Sequence, residues 1–177
     1  MKVIIETDRL LLREFTIDDA RAVYEFGSNV EVQKYTGDEL LTSLERAEEI
    51  IKNVILKDYK KYGYGRWAVI FKPDKKLIGF AGLKYLPEFG ETDIGFRFLP
   101  QYWGRGIATE ASRGIIKYGF KNLNIKRIIG IAMPENIASC RVLEKVGLKL
   151  YQIAEYDGDG HDNKWYELKN NTKHSNR

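Results

Sequence analysis

The stretch LPQYWGRGIATEA, residues 99–111, decides how the chain is read. Gly104 and Gly106 bracket Arg105, aromatic residues precede them, and a helix-forming run follows. A helix that starts here has first amides with no carbonyl one turn before them, and its peptide dipoles add partial positive charge. Such a start is an anion site, and phosphate is its natural guest. The two glycines clear away side chains that would hold a phosphate off the backbone, Arg105 adds charge and Thr109 a hydroxyl. The plain alternative is a mere helix entry. A Walker loop is excluded because no lysine follows the second glycine. A dinucleotide fingerprint is excluded as well. It needs a third glycine where Thr109 stands, and the strand before the loop closes an antiparallel meander.

Upstream, RWAVIFK, KLIGFAGLKYL and ETDIGFRFL read as three strands joined by short turns at Pro73–Asp74 and Phe89–Gly90, hence antiparallel. Downstream, Ile107, Ala111, Ile115 and Tyr118 recur at helical spacing. KRIIGIAM is apolar almost throughout, as suits a central strand covered on both faces. PENIASCRVLEKVGL reads as a helix ending at Gly147, followed by strands KLYQIAEY and KWYELK about a GDG turn. At the N-terminus, ETDRLLLREF suits one strand, and Thr16 caps a helix with Asp18 and Asp19 in its first turn. A second helix begins at a capping box from Thr42 to Glu45 and runs to about Tyr59 before KYGYG. The order predicts one mixed α/β domain over residues 1–169 with a polar tail, 170–177.

The 177 residues suffice for one sizeable core. With 44% hydrophobic and 31% charged residues, a charged N-terminus and no apolar run of membrane length, a soluble cytoplasmic protein is expected. One cysteine and two histidines cannot build a Cys/His zinc cluster, so no metal is expected. A net charge of +4 without a dense basic block argues against nucleic acid as partner.

QxxGxG, formed by Gln101, Gly104 and Gly106 between a strand and a helix, resembles the acyl-CoA pyrophosphate loop of the GCN5-related N-acetyltransferases. TDRLLLREF with DDA, IGFRFLPQYWGRGIATEA and NIASCRVLEKVGL together resemble the RimJ/RimL-type branch, which acetylates protein N-termini and, in relatives, other amines. The likeness runs from about Glu6 to Leu168. It implies a mostly antiparallel sheet of about seven strands flanked by about four helices, with a V-shaped splay between the strands around Ile94–Leu99 and Arg127–Ala132. Acetyl-CoA is then the co-substrate, with an amine as acceptor and a monomer or homodimer as the working form. The pantetheine arm would pair with the exposed edge through the backbones of Phe98 and Leu99, and a bulge near Gly95–Arg97 would cause the splay. The pyrophosphate would meet Gln101, Gly104, Arg105, Gly106, Ile107, Ala108 and Thr109, with Asn136 and Ser139 also at the cofactor.

The expected reaction is direct attack by a neutral amine, without an acyl-enzyme. No histidine lies near Cys140 in sequence, and a lone cysteine in an apolar helix is usually core, so it is not expected to be a nucleophile. A backbone amide of the splayed strand would stabilise the oxyanion. At pH 7 deprotonation costs about 1.4 kcal/mol for an α-amino group and about 4.6 for a lysine. Glu91 and Asp93 share a strand face and are candidate bases, set against a plain ion-pair face with Arg97. Family members often carry a tyrosine as general acid where this chain has Leu143; the branch resemblance transfers that task to Ser139. Helix capping is the structural alternative for Asn136 and Ser139. His161 falls in a turn, and Tyr102, Trp103, Trp67 and Trp165 read as wall, core or sheet. Residues 32–64 would wall the acceptor cleft, with a peptide N-terminus as first choice and a polyamine or aminoglycoside, or a non-catalytic acyl-CoA binder, as alternatives.

Overall fold

The protein is described from a computed structural model covering residues 2–156 and 160–171. The expected tail from residue 172 onward, and the GDG turn apart from Gly160, lie outside the described residues. The opening segment, expected as one strand, is a hairpin of β1 (Val3–Glu6) and β2 (Leu10–Arg13). Thr7 makes the turn: its amide donates to the Leu10 carbonyl at 2.9 Å, and its hydroxyl accepts the Leu10 amide at 3.1 Å. A threonine-aspartate turn competes well with a continuous strand because its side chains satisfy the backbone locally.

Thr16 then starts a 3-10 turn, Ile17–Asp19, that leads into α1 (Ala20–Gly27). The Asp19 carboxylate accepts the Thr16 amide at 2.8 Å and forms a two-pronged pair with Arg13 at 2.6 and 2.7 Å. After the short α2 (Val30–Gln33), α3 (Leu44–Ile50) continues through a π-helical turn, Ile51–Ile55, into α4 (Leu56–Tyr62). Its cap is Ser43, whose hydroxyl accepts the Arg46 amide at 3.2 Å, and not Thr42 as expected. Arg46 has no acceptor to return, so a single capping bond suffices where a box was read. Gly63, at φ 78, ends the run three residues later than expected.

The strands β3 (Arg66–Phe71), β4 (Lys76–Leu86) and β5 (Glu91–Phe98) form the expected meander. Then come α5 (Ile107–Asn122), β6 (Arg127–Ala132), α6 (Ile137–Lys145), β7 (Lys149–Glu155) and β8 (Asp162–Lys169). Among the described residues the sheet has eight strands in the order β1-β2-β3-β4-β5-β6-β8-β7, and only the β5–β6 neighbours are parallel. Helix α1 covers one face, where Phe26 meets Phe80 edge-on. Helix α5 covers the other, where Tyr118 meets Trp67 edge-on. Ile128 and Ile129 point to opposite faces of β6 and both are fully buried, as expected of a central strand.

The splay is present, but its expected cause is not. The β4–β5 register runs unbroken from Leu86↔Glu91 to Gly79↔Phe98, so Gly95–Arg97 carries no bulge. The irregularity lies across β4, between Val69 and Ile70 of β3, beside Gly79 at φ 149. A Cβ there would sit 2.0 Å from the Arg97 carbonyl, so only glycine fits. Strands β5 and β6 meet at one register pair, Asp93↔Ile129, and then diverge.

Candidate active site at the splayed strands

The glycine loop sits at the mouth of the divergence. Pro100–Tyr102 form a 3-10 turn, and Gly104 and Gly106 take φ values of 70 and 74. A Cβ on Gly104 would enter open space, so that glycine serves its backbone angle and leaves room in front of the chain. Gly106 caps α5 without a side-chain bond, and its carbonyl accepts the Glu110 amide at 3.0 Å. The amides of Ile107, Ala108 and Thr109 open the helix without a carbonyl one turn back. Among the described residues none accepts from the amides of Gly104, Arg105 or Gly106. A bare, positively polarised cradle of this kind fits a diphosphate.

Arg105 stacks its guanidinium over Phe71 and Tyr102, 4.8 and 5.4 Å from the ring centroids. The loop is held from behind by Arg9, which the sequence reading missed. Its Nη1 donates to the Arg105 carbonyl at 2.9 Å, and its Nε donates to Glu110 at 2.7 Å. Glu110 also accepts the Thr7 hydroxyl at 2.6 Å and the Arg9 amide at 2.9 Å. Burial pushes the Glu110 carboxyl up, but these donors together hold it below the usual range. Beside the helix start lies a groove of about 630 Å³ whose lining includes Arg9, Arg113, Lys117 and Lys145. An acidic residue in the first turn of α5 was the only signal; nothing in the spacing of Arg9 announced its partner.

Along β5, alternate residues direct their backbone groups to β4, as the Leu99 amide does to the Ile78 carbonyl at 2.9 Å. Ile94, Phe96 and Phe98 therefore face the diverging β6. Leu99 gives its amide to Ile78, and its carbonyl accepts the Tyr102 amide at 3.0 Å. Phe98 keeps its amide on the open edge, while its carbonyl accepts the Trp103 indole N–H at 2.7 Å. Trp103 thus shapes the loop although it is half exposed.

The carboxylates of β5 are both engaged. Glu91 accepts from Arg127 at 2.5 Å, and Arg127 also pairs with Glu167 at 2.8 Å. This places Glu91 on the paired side of the vertex, away from the open edge. Asp93 is buried in an ion pair with Arg66. Burial pushes its carboxyl up against the pull of Arg66. Arg97 pairs with neither of them, but with Asp38 at 2.5 Å, and donates to Gln33 at 2.9 Å.

On α6, the Asn136 side chain caps the helix by accepting the Ser139 amide at 3.1 Å, and Ser139 is half-buried in the first turn. Asn136 is therefore a cap, and its side-chain N–H groups stay available for a ligand. Leu143 is buried against Gly130 and supplies no acid. Cys140 is buried, with its sulfur 3.9 Å from the Met133 carbonyl. His161 is exposed between β7 and β8, and its carbonyl accepts from Asn163 at 3.1 Å. Among the described residues no helix is long and apolar enough to cross a membrane, and no group of three His, Cys, Asp or Glu side chains could hold a metal.

A sheet split between two parallel neighbours, with bare amides at the following helix, is the arrangement that the N-acetyltransferase resemblance implies. Residues 9–149 match the acetyltransferase (GNAT) domain family, and the chain belongs to it. It is 34% identical over 170 residues to the uncharacterized N-acetyltransferase YoaA of Bacillus subtilis, covering 93% of this chain and 96% of that one. It is 40% identical over 147 residues to YnaD of the same organism, covering 82% of each. An acetyltransferase (GNAT family) structure from Bacillus anthracis is 30% identical with a TM-score of 0.79, covering 93% of this chain and 97% of that one. The fold is also that of the ribosomal alpha-N-protein acetyltransferase RimL in complex with coenzyme A, at TM-score 0.81 and 20% identity, covering 95% and 98%. A spermidine N-acetyltransferase from Vibrio cholerae with CoA and spermine shares it at 0.75 and 22%, covering 92% and 96%. The protein is thus an acetyl-CoA-dependent N-acetyltransferase.

Proposed function

We propose that the acceptor is the α-amino group of a peptide or protein N-terminus, as in the RimJ/RimL-type branch. The observation that carries this reading is the commitment of charge around the cleft: Glu91, Asp93 and Asp38 are each tied to an arginine. A polycation would need carboxylates free to receive it, and none of these three is free. An α-amino group has little need of them, since losing its proton at neutral pH costs only about 1.4 kcal/mol.

In this reading the amides of Gly104 through Thr109 hold the diphosphate, and Gln101, Arg105 and Asn136 contact the cofactor around them. The open edge at Phe96 and Phe98 receives the pantetheine amides as an added strand would. A backbone N–H on that edge faces the developing oxyanion. The amine's proton passes to cleft water, because both β5 carboxylates already serve guanidinium groups. Ser139 donates to the departing thiolate from the first turn of α6.

The test is free-thiol release across N-terminal peptides, polyamines and aminoglycosides. Peptide N-termini are expected to lead in kcat/KM. A polyamine or aminoglycoside preferred over every peptide overturns the acceptor assignment while leaving acetyl transfer intact.

A further inference from the structure

A buried ion pair lies where the two strands that open the cleft part, with its guanidinium beside Gly95. With Asp93 opposite Ile129 in a parallel pair, a continuing ladder would send the Ile131 amide to the Ile94 carbonyl. The register has no such second step, and the Asp93 carboxylate stands beside the Ile131 amide instead. The ladder therefore ends after one step, and the Ile94 carbonyl and the Phe96 groups stay on the open edge.

Arg66 locks that carboxylate from two strands away. Its Nη1 donates to the Gly82 carbonyl at 2.6 Å and the Asp93 carbonyl at 3.2 Å, while Nη2 reaches the Asp93 carboxylate. The guanidinium lies flat over Gly95, where a Cβ would fall 2.5 Å from Nη2. The arginine's own backbone is fixed by the Tyr59 hydroxyl, which donates to the Arg66 carbonyl at 2.5 Å and accepts the Phe15 amide at 3.2 Å. Both terminal nitrogens of the guanidinium thus have acceptors, as a buried pair requires.

We propose that Asp93 and Arg66 are positioning residues that hold the vertex of the cleft open, with Gly95 as the gap through which the guanidinium passes, and that neither transfers a proton. The inference rests on the acetyl-CoA cleft alone and is independent of which amine is acetylated.

Calorimetry with coenzyme A and the pH profile of kcat/KM test it together. Asp93→Asn turns an acceptor facing Arg66 into a donor, and Arg66→Lys loses the fork that spans Gly82 and Asp93. Gly95→Ala displaces the guanidinium while leaving both charges in the chain. Each is expected to raise the Kd for coenzyme A about tenfold, the equivalent of one edge hydrogen bond. The Arg66→Lys/Asp93→Asn pair should be no worse than the poorer single variant, as expected of one unit. The limbs of the pH profile should keep their midpoints. If Asp93→Asn fails to fold, Gly95→Ala decides alone. The proposal is overturned if coenzyme A affinity stays within about twofold in Gly95→Ala. It is equally overturned if Asp93→Asn abolishes kcat and removes the acidic limb while affinity is unchanged.

Discussion

The two ends of the cleft satisfy their polar groups in opposite ways. At the glycine loop the chain leaves amides bare from Gly104 to Thr109 and spends its side chains, Arg9 and Glu110, on holding the loop from behind. Along β5 the carboxylates Glu91 and Asp93 face Arg127 and Arg66, and Asp38 faces Arg97. The first end has backbone donors ready for an anion. At the second, each of these carboxylates is balanced by a guanidinium group.

The paired region is expected to be the more expensive to disturb. Arg13 and Asp19 extend it to the start of α1, and both side chains are nearly inaccessible, at 9% and 10% exposure. Arg13→Met should cost about 3 kcal/mol in urea unfolding, because it strands a buried carboxylate. The same pair sets a pH dependence. Burial raises the Asp19 carboxyl, but Arg13 and the Thr16 amide lower it further, so the folded value lies below the ordinary 3.8. Its contribution is complete above that ordinary value and is lost as pH falls through the folded one. Denaturant midpoints should therefore drop below about pH 4 in the wild type, and drop less steeply in Asp19→Asn.

At the bare end, Gly104→Val with Gly106→Val should raise the Kd for coenzyme A about a hundredfold, two charge-assisted bonds being lost. Unfolding midpoints at fixed pH would separate this from damage to the fold. A smaller effect is expected at Ser139, which stands between the two ends. Ser139→Ala should lower kcat about tenfold with KM for acetyl-CoA within about twofold, since a thiolate needs less help than an amine leaving group. A fall in KM affinity with kcat intact would make Ser139 part of the cofactor cradle only.

The bare end was the more legible in sequence because it is local. Gly104, Gly106 and the helix pattern from Ile107 lie within one short stretch, and backbone conformation there follows from residue type. The meander, the central strand and the helix over Ile137–Lys145 were legible for the same reason. The paired end is made of contacts between distant residues, and spacing carries no trace of which arginine meets which carboxylate. Gly95 shows the difficulty well: a strand glycine suggests a bulge, yet here it makes room for a side chain from β3. Thr7 hid the first hairpin by supplying a turn from two polar side-chain bonds, without a glycine.

The bond from Arg9 to the Arg105 carbonyl joins residues 96 positions apart. Contacts of such long separation form late, since closing the intervening chain costs entropy before anything is gained. A refolding chain should therefore acquire its secondary structure before it can retain nucleotide, and a fluorescent coenzyme would report the last step of assembly, not an early one.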